Sequence, residues 1–340
     1  MKNLFHTGRH SAKVILSFTI HFLILMWTRW IIVPRTHRSQ LIVVALIEHL
    51  GDIVACEPIS RRVRQDYPDA YILWMVKKEY RELIDSNPNI DAALQVHCLT
   101  EKEILKKSNL FDRLIDLHFS ERHCALCPES WAGTADVRTP GAIGLSNFYD
   151  YGGILQSIER FAGLPPSDQQ PRIYISDGVK RKVDALNLHS MFTVLHCSSN
   201  TPEKDWPREK WEALAGHLSR EHRCTIIEVG LHPTLDNSGL GSYRNLTGVL
   251  SILETAEVIR RAKLFIGIDS GPAHLANAVG TFGIILLGSY LGFKKYVPFS
   301  GSYGNGSNAS LLHTEGAVVN LPLERVLESV NAAFQIQSIS

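Results

Sequence analysis

The chain has 340 residues, of which 45% are hydrophobic and 20% are charged, and its formal net charge is +1. This length exceeds that of one typical core, so we expect two domains, and the composition excludes a disordered protein. The positive charge is concentrated at the amino end, because residues 1–40 contain six Lys or Arg and no acidic residue. The remainder is net acidic, which gives no support to a nucleic-acid partner.

An apolar stretch, VILSFTIHFLILMWTRWIIV, occupies residues 14–33 of this basic segment. A helix of this length, at about 1.5 Å rise per residue, just crosses a hydrocarbon core of roughly 30 Å, but His21 and Arg29 interrupt it. Trp27 and Trp30 are of a residue type that favours the membrane interface. We therefore predict a membrane-associated hydrophobic helix that either spans the bilayer or lies on it; the alternatives are a buried helix and an organellar transit segment.

Six cysteines are scattered along the chain, namely Cys56, Cys98, Cys124, Cys127, Cys197 and Cys224. We expect most of them to be small core residues or free thiols. Cys124 and Cys127 have the C-x-x-C spacing of a redox pair or of half a zinc site, but the sequence offers no second ligand pair of that kind. We therefore predict no metal site and leave the role of Cys124 and Cys127 open.

Continuous apolar segments alternate with helical periodicity from residue 41 onward, which indicates parallel strands covered on both faces. The predicted strands are LIVVALI (41–47), YILWMV (71–76), DRLIDLHF (112–119), TVLHCSS (193–199), CTIIEVG (224–230), LFIGID (264–269) and TFGIILLG (281–288). Helices are predicted between them, among them REKWEALAGHLSREH and SILETAEVIRRAK.

The proline-rich segment LPPSDQQP, residues 164–171, suits a linker between two such series. The sequence therefore predicts an α/β protein with two Rossmann-like domains facing a central cleft, over residues 41–165 and 166–340. Residues 1–40 form the predicted basic and apolar membrane-associated segment.

A helix that begins directly after polar residues is predicted at IDSGPAH, where Asp269, Ser270 and Gly271 follow a strand. Unpaired N–H groups and the positive end of the helix dipole suit a phosphate there, with Ser270 or Asp269 as the cap and His274 one turn further on. The chain contains neither G-x-x-x-x-G-K-[ST] nor a G-x-G-x-x-G after its first strand, which disfavours a P-loop kinase and a standard dehydrogenase. The alternative is a simple capped turn.

Two further polar segments follow predicted strands. HCSSNTPEKDWPREKW offers the hydroxyls of Ser198 and Ser199 and the charge of Lys204 for binding a phosphate. After the first strand, Asp52 leads a helix and is a candidate general base, although capping that helix is its competing role.

In this order, the segments resemble glycosyltransferase family 9, the ADP-heptose:lipopolysaccharide heptosyltransferases, over roughly residues 41–300. The shared motifs are the first-strand GD, YPDAYILWMV, NPNIDAAL, FDRLIDLHFS, HCSSNTPEKDWPREKW and IDSGPAHLANAVG. The resemblance implies a GT-B fold with an N-terminal acceptor domain, a C-terminal nucleotide-sugar domain and an inverting, metal-independent transfer. It assigns Asp52 as the general base, Ser198, Ser199 and Lys204 to the donor phosphates, and Asp269, Ser270, Gly271 and His274 to the diphosphate and sugar.

The implied reaction moves a sugar, heptose, from a nucleotide-diphospho-sugar to a lipopolysaccharide-type or other glycan acceptor. ADP-heptose would be the co-substrate, with no cofactor, and the lipid-linked acceptor would place the enzyme on the cytoplasmic face of the inner membrane. In agreement with a metal-free mechanism, no two aspartates lie two apart, so the D-x-D metal motif is absent from the sequence.

Three features depart from the family pattern. Glu48 and His49 stand where serine-rich residues are common, LGSYLGFKKYVPFSG (287–301) replaces the usual FGPT stretch, and Asp236 is a weak candidate for the ribose contact. Two other functions therefore stay open, a sugar-nucleotide epimerase or hydrolase and a non-catalytic membrane-associated sugar-nucleotide-binding protein.

Overall fold

The computed structural model describes residues 2–119, 122, 124–128, 131, 143–188, 191–236, 242–289 and 296–339. The chain divides into two compact units, Met1–Ser167 and Asp168–Ser340, and the boundary falls inside the proline-rich segment 164–171. Residues 1–40 are part of the first unit. Of the atypical stretch 287–301, residues 290–295 lie outside the described residues.

The first unit contains a four-stranded parallel sheet. Its strands are β1 (Gln40–Ala45), β2 (Ala70–Val76), β3 (Ala92–Gln95) and β4 (Arg113–Asp116), in the order β3-β2-β1-β4. Its helices are α1 (Lys2–Trp27), α2 (Leu50–Ala55), α3 (Glu57–Asp66), α4 (Arg81–Asp85), α5 (Leu99–Lys106) and α6 (Ile154–Phe161). The central strand β1 is almost fully buried, as expected for a sheet covered on both faces.

The second unit contains a six-stranded parallel sheet. Its strands are β5 (Phe192–His196), β6 (Thr225–Glu228), β7 (Tyr243–Asn245), β8 (Leu264–Ile268), β9 (Gly283–Ser289) and β10 (Ala309–Glu315), in the order β10-β9-β8-β5-β6-β7. Its helices are α7 (Asp177–Asp184), α8 (Arg208–His222), α9 (Ile252–Arg261), α10 (Gly271–Val279), α11 (Gly301–Gly304) and α12 (Leu323–Ile339). The predicted α/β class is therefore confirmed.

Each sheet has one point at which the strand order reverses. In the first sheet it lies between β1 and β4, and in the second between β5 and β8. Helices leave the sheet in opposite directions there, so a crevice opens beyond the carboxyl ends of the two strands, and ligands bind at such switch points. The segments that follow these four strands are therefore where a site is expected.

Helix α1 packs one face against the first unit. Val14 and Leu25 are fully buried, and Phe18 and Phe22 pack against the core that also contains residues of the sheet. The helix continues through a π-helical turn at Thr28–Ile32 and a last turn at Val33–Arg35. Within the described part of the chain, the helical run Gly8–Arg35 is the one candidate long and apolar enough to cross a membrane.

A buried carboxylate fixes α1 at its middle. Glu101 on α5 is fully buried, and its oxygens accept hydrogen bonds from Ser17 Oγ at 2.8 and 2.9 Å and lie 2.6 Å from His21 Nδ1. The backbone N–H of His97 donates to the same carboxylate at 2.6 Å. Because a buried carboxylate is costly without partners, these contacts tie the helix to the unit at a defined register.

Candidate functional site

An ion pair joins the two polar motifs of the second unit across its switch point. Lys204 ends the short 3₁₀ helix Pro202–Lys204 that follows β5, and its Nζ donates to Asp269 Oδ2, just after β8, at 2.7 Å. The two side chains are 21% and 19% exposed. The structure thus brings together two predicted site residues that are far apart in sequence.

The N-terminus of α10 adjoins this pair. Ser270 is the N-cap residue, but its hydroxyl donates back to the carbonyl of Ile268 at 3.1 Å and makes no cap hydrogen bond. The prediction that Ser270 or Asp269 caps the helix through its side chain is therefore wrong, because both side chains have other partners. Gly271 begins the helix, and Pro272 lies in the first turn, where a missing N–H costs little. No side-chain cap therefore occupies the positive end of the helix dipole.

Ser199 organises the loop between these elements. Its backbone N–H donates to Asp205 Oδ1 at 2.8 Å, and its hydroxyl lies 2.9 Å from the same oxygen. The hydroxyl also accepts from the N–H of Thr201 at 3.1 Å. Ser198, its neighbour, is partly buried at the end of β5. Ser199 therefore holds the shape of the loop that carries Lys204.

Two histidines are buried near the carboxyl edge of the second sheet. His274, in the first turn of α10, is 4% exposed, and its ring packs on Phe299 with centroids 4.7 Å apart. His196 ends β5, and its Nδ1 lies 3.0 Å from the carbonyl of Val229, so Nδ1 is the donor. Burial lowers the pKa of His196, although the Val229 carbonyl opposes the shift. Sequence reasoning did not select His196, which was visible as the last residue of an apolar strand.

Two acidic residues lie at or after the end of β6, and one of them, Asp236, is the weak candidate for the ribose contact. Asp236 is on the surface, 57% exposed, with its Oδ2 3.5 Å from Nη2 of Arg208. Glu228 ends β6 and is buried; its carboxylate accepts from the N–H of Thr234 at 2.6 Å and from the hydroxyl of Tyr243 at 2.5 Å. Glu228 thus fixes the loop after β6, and Asp236 does not lie at a strand end.

Asp52 lies at the switch point of the first unit. Helix α2 begins at Leu50 with His49 as its N-cap residue, so Asp52 is in the first turn and is not the cap. Nη1 of Arg122, which follows β4, donates to Asp52 Oδ2 at 3.1 Å, and Nδ1 of His49 lies 3.8 Å from the same oxygen. Sequence reasoning missed Arg122, because nothing local to it indicates a contact with Asp52.

Glu48 and Lys77 form a second charged pair near this point, between the segments after β1 and β2. Burial would raise the pKa of Glu48, but the hydrogen bond and charge of Lys77 outweigh it and lower the pKa. The atypical Glu48 therefore has a cationic partner on the neighbouring strand end.

His118 follows β4 and is almost fully buried. Its Nε2 accepts from the N–H of Ile47 at 3.2 Å, and its Nδ1 lies 3.7 Å from Asp116 Oδ1. Burial lowers the pKa of His118, with Asp116 acting in the opposite direction. A neutral imidazole therefore links the segments that follow β1 and β4.

Three comparisons with known proteins bear on this arrangement. The profile of glycosyltransferase family 9 (heptosyltransferase) matches residues 154–290. Lipopolysaccharide heptosyltransferase 3 of Escherichia coli strain K12 is 23% identical over 276 residues, which cover 70% of this chain and 80% of the relative. Lipopolysaccharide core heptosyltransferase OpsX of Haemophilus influenzae is 22% identical over 316 residues, which cover 83% of this chain and 87% of the relative.

The fold also matches a solved structure, that of ADP-heptose LPS heptosyltransferase II of E. coli. The TM-score is 0.66 at 20% identity, and the match covers 88% of this chain and all of that one. This likeness confirms the predicted GT-B class of two Rossmann-like units. The profile match over residues 154–290 and the two curated relatives support the resemblance of this chain to glycosyltransferase family 9 and its glycosyltransferase activity.

Proposed function

We propose that the protein transfers a heptose from a nucleotide-diphospho-heptose, ADP-heptose, to a lipopolysaccharide-type glycan acceptor. Both curated relatives carry the name of a lipopolysaccharide heptosyltransferase. The observation that carries the proposal is the Lys204–Asp269 pair beside the N-terminus of α10, at the switch point of the second sheet. The family match over residues 154–290 includes both halves of this constellation.

On the donor side, Lys204 and the N-terminus of α10 bind the diphosphate. An ammonium group acts as a point charge on phosphate oxygens, and the helix adds its dipole and the N–H of Gly271. Asp269 and Ser270 accept hydrogen bonds from the sugar, Ser198 and Ser199 line the phosphate loop, and His274 orients the donor through its packed position in α10. Lys204 and the N-terminus of α10 stabilise the departing nucleoside diphosphate as its negative charge develops.

On the acceptor side, Asp52 is the general base. It accepts the proton of an acceptor hydroxyl while that oxygen attacks the anomeric carbon and the bond to the diphosphate breaks. Direct displacement on the face opposite the leaving group inverts the anomeric configuration. Arg122 and His49 hold the carboxylate of Asp52 in place. Lys204 and α10 supply the positive charge that a D-x-D metal ion supplies in other glycosyltransferases.

Turnover with a defined donor and acceptor tests the reaction. Purified protein is given ADP-heptose with and without a heptose-deficient lipopolysaccharide core, and nucleotide release and product anomer are followed by chromatography and NMR. We expect acceptor-dependent release of ADP and an inverted product. Release of free or epimerised sugar without acceptor would instead support the epimerase or hydrolase, and donor binding without turnover would support the non-catalytic protein.

Chelation tests metal independence separately. Transfer should continue in EDTA, because the proposed leaving-group stabilisation uses side chains and backbone N–H groups only. Activity that disappears in EDTA and returns with Mg²⁺ or Mn²⁺ would contradict the metal-free mechanism while leaving the substrate assignment intact.

We further propose that α1 lies flat in the interface of the cytoplasmic face of the inner membrane. Five large side chains form a stripe on the face of the helix opposite its packed face: Leu16, Ile20, Leu23, Trp27 and Trp30, which are 47% to 63% exposed. Their spacing of three and four residues gives one apolar edge, and Arg9, Lys13 and Arg35 are exposed along the same helical run. A helix packed against the unit along its length is suited to lying on a bilayer, where basic groups meet anionic lipids.

Vesicle binding tests this orientation. The double variant Leu16→Gln and Leu23→Gln should lose most of its sedimentation with vesicles that contain an anionic lipid, while it stays folded, because both side chains are exposed. Leu231→Gln is the matched control, because Leu231 is a leucine of the second unit that is also exposed, at 72%, and this variant should bind as the wild type does. Unchanged binding of the double variant would contradict the interfacial helix.

A further inference from the structure

Four side chains with metal-ligating atoms converge in the first unit. His10 comes from α1, Cys98 lies directly before α5, and Cys124 and Cys127 belong to the segment after β4. Their ligand atoms all lie within 4.8 Å of one another. Sγ of Cys98 is 3.8 Å from Sγ of Cys127, and Sγ of Cys124 is 3.3 Å from Nε2 of His10. The pair that the C-x-x-C motif lacked in the sequence is therefore supplied by the fold.

These distances fit a tetrahedral metal ion. With Zn–S of about 2.3 Å and Zn–N of about 2.0 Å, tetrahedral geometry places neighbouring sulfurs about 3.8 Å apart and sulfur and nitrogen about 3.5 Å apart. A disulfide instead requires about 2.05 Å between sulfurs. Three thiolates and one imidazole form a known structural zinc set, and soft ligands in a tetrahedron favour zinc over hard cations.

The rest of the chain's cysteines differ from this group. Cys56, Cys197 and Cys224 are almost completely buried in the two cores, and Sγ of Cys224 lies 3.2 Å from the hydroxyl of Thr193. Cys124 and Cys127 are partly exposed, and Cys98 is 4% exposed. Burial alone therefore does not explain why these three thiols meet beside an imidazole nitrogen.

We propose that His10, Cys98, Cys124 and Cys127 bind one zinc ion in a closed structural site. Four protein ligands leave no open position for water or substrate, so the ion has no role in the transfer itself. It fastens three segments that are distant in sequence: α1, the start of α5 and the segment after β4. Arg122 lies two residues before Cys124, so the same ion restricts the segment that presents Arg122 to Asp52.

Metal content and protection of the thiols test the site in the full-length protein. Protein produced with zinc in the medium and purified without chelator should contain about one zinc per chain by elemental mass spectrometry. Cys98, Cys124 and Cys127 should resist alkylation in the native protein and react after a strong chelator is added, as peptide mass spectrometry can show. Replacement by Co²⁺ should give the intense absorption of a tetrahedral thiolate complex.

Substitutions then assign the ligands. His10→Ala and Cys127→Ser should each lower the zinc content several-fold, Cys127→His should restore much of it, and Cys224→Ala is the control that keeps it. Should a ligand variant fail to fold, the alkylation and cobalt measurements on the wild-type chain still decide. Wild-type protein without zinc and with freely reactive thiols, a mapped Cys98–Cys127 disulfide, or bound iron in place of zinc would each overturn the proposal.

Discussion

Each unit joins a basic side chain to an aspartate across its switch point, Arg122 to Asp52 in the first and Lys204 to Asp269 in the second. In the second unit both partners lie in short polar motifs directly after buried strands, and the family match over residues 154–290 lies almost entirely there. In the first unit the pair is surrounded by further ionisable groups at the strand ends, including Glu48 and His118. The comparison teaches that the polar motifs of the second unit belong to a recurrent sequence pattern, whereas those of the first unit lie outside the family match.

The largest effect should come from the first of these two pairs. Asp52→Asn keeps the size of the side chain and an acceptor for Arg122 but removes the base, so kcat should fall by roughly 10²- to 10⁴-fold. The donor Kd should hardly change, because Asp52 does not belong to the second unit. Single-turnover rates and calorimetric donor titration give the two quantities independently.

Asp85→Asn is the matched control for that variant, since Asp85 forms an exposed pair with Arg81 at 2.9 Å in the same unit. It should keep full activity. Near-wild-type turnover of Asp52→Asn, or a loss of donor binding comparable with that of a donor-site variant, would remove Asp52 from the acceptor side.

The second pair, Lys204 and Asp269, should control the affinity for the donor. Lys204→Ala removes a charge-assisted contact with the diphosphate worth about 1.5 to 3 kcal/mol, so the donor Kd should rise roughly 10- to 100-fold. Lys180→Ala is the control, because Lys180 pairs with Asp177 at 2.9 Å on the surface of the same unit. Equal donor affinity of the two variants, measured by calorimetry, would contradict the proposal that Lys204 binds the phosphates.

The free energy of unfolding of both units should depend on pH through their buried histidines. The pKa of His118 and that of His196 are lowered by burial, so the unfolded chain binds protons more readily, and stability is lost as pH falls below the unfolded value of about 6.5. Each histidine contributes a slope of at most about 1.4 kcal/mol per pH unit.

Hydrogen exchange resolved by peptide separates the two contributions between pH 7 and pH 5. His118→Gln should flatten the pH dependence in the first unit alone, and His196→Gln should do so in the second. If either substitution left the pH dependence of its own unit unchanged, its histidine would not be the titrating group.

The smallest effect should be that of Ser199→Ala. Ser199 holds the loop through Asp205, and a net hydrogen bond of about 1 kcal/mol corresponds to a donor Kd raised about fivefold. Asp205→Asn should have a similar effect, and the double variant should add little, because both act through one contact. A loss as large as that of Lys204→Ala would mean that Ser199 binds the phosphate directly.

The central strands were predictable because they are continuous apolar segments, and α8 spans the predicted residues 208–222. The strands β3, β7 and β10 were not predicted. All three are edge strands of their sheets; the fourth edge strand, β4, was predicted. Strands β3 and β7 are only four and three residues long, and each contains polar side chains. An edge strand is buried less completely, so its apolar pattern is weak.

The contacts of the site likewise divide into those that the sequence predicts and those that it does not. Lys204 and Asp269 follow strands that are adjacent in the sheet, and the rule for switch points predicts that they meet. Arg122 reaches Asp52 across 70 residues, and His10 reaches Cys124 across 114. Such contacts depend on how helices and loops pack over the sheet, and local patterns contain no information about them.

The buried carboxylate of Glu101 makes α1 a part of the first unit and not a detachable tether. Removing the helix would leave a charge inside the unit without Ser17 and His21, so truncation should impair folding as well as location. On a bilayer, the first unit would also have one fixed orientation, because Glu101 fastens α1 to it. Its encounter with a lipid-linked acceptor would then be a lateral search in two dimensions, with Asp52 held at a constant height above the membrane.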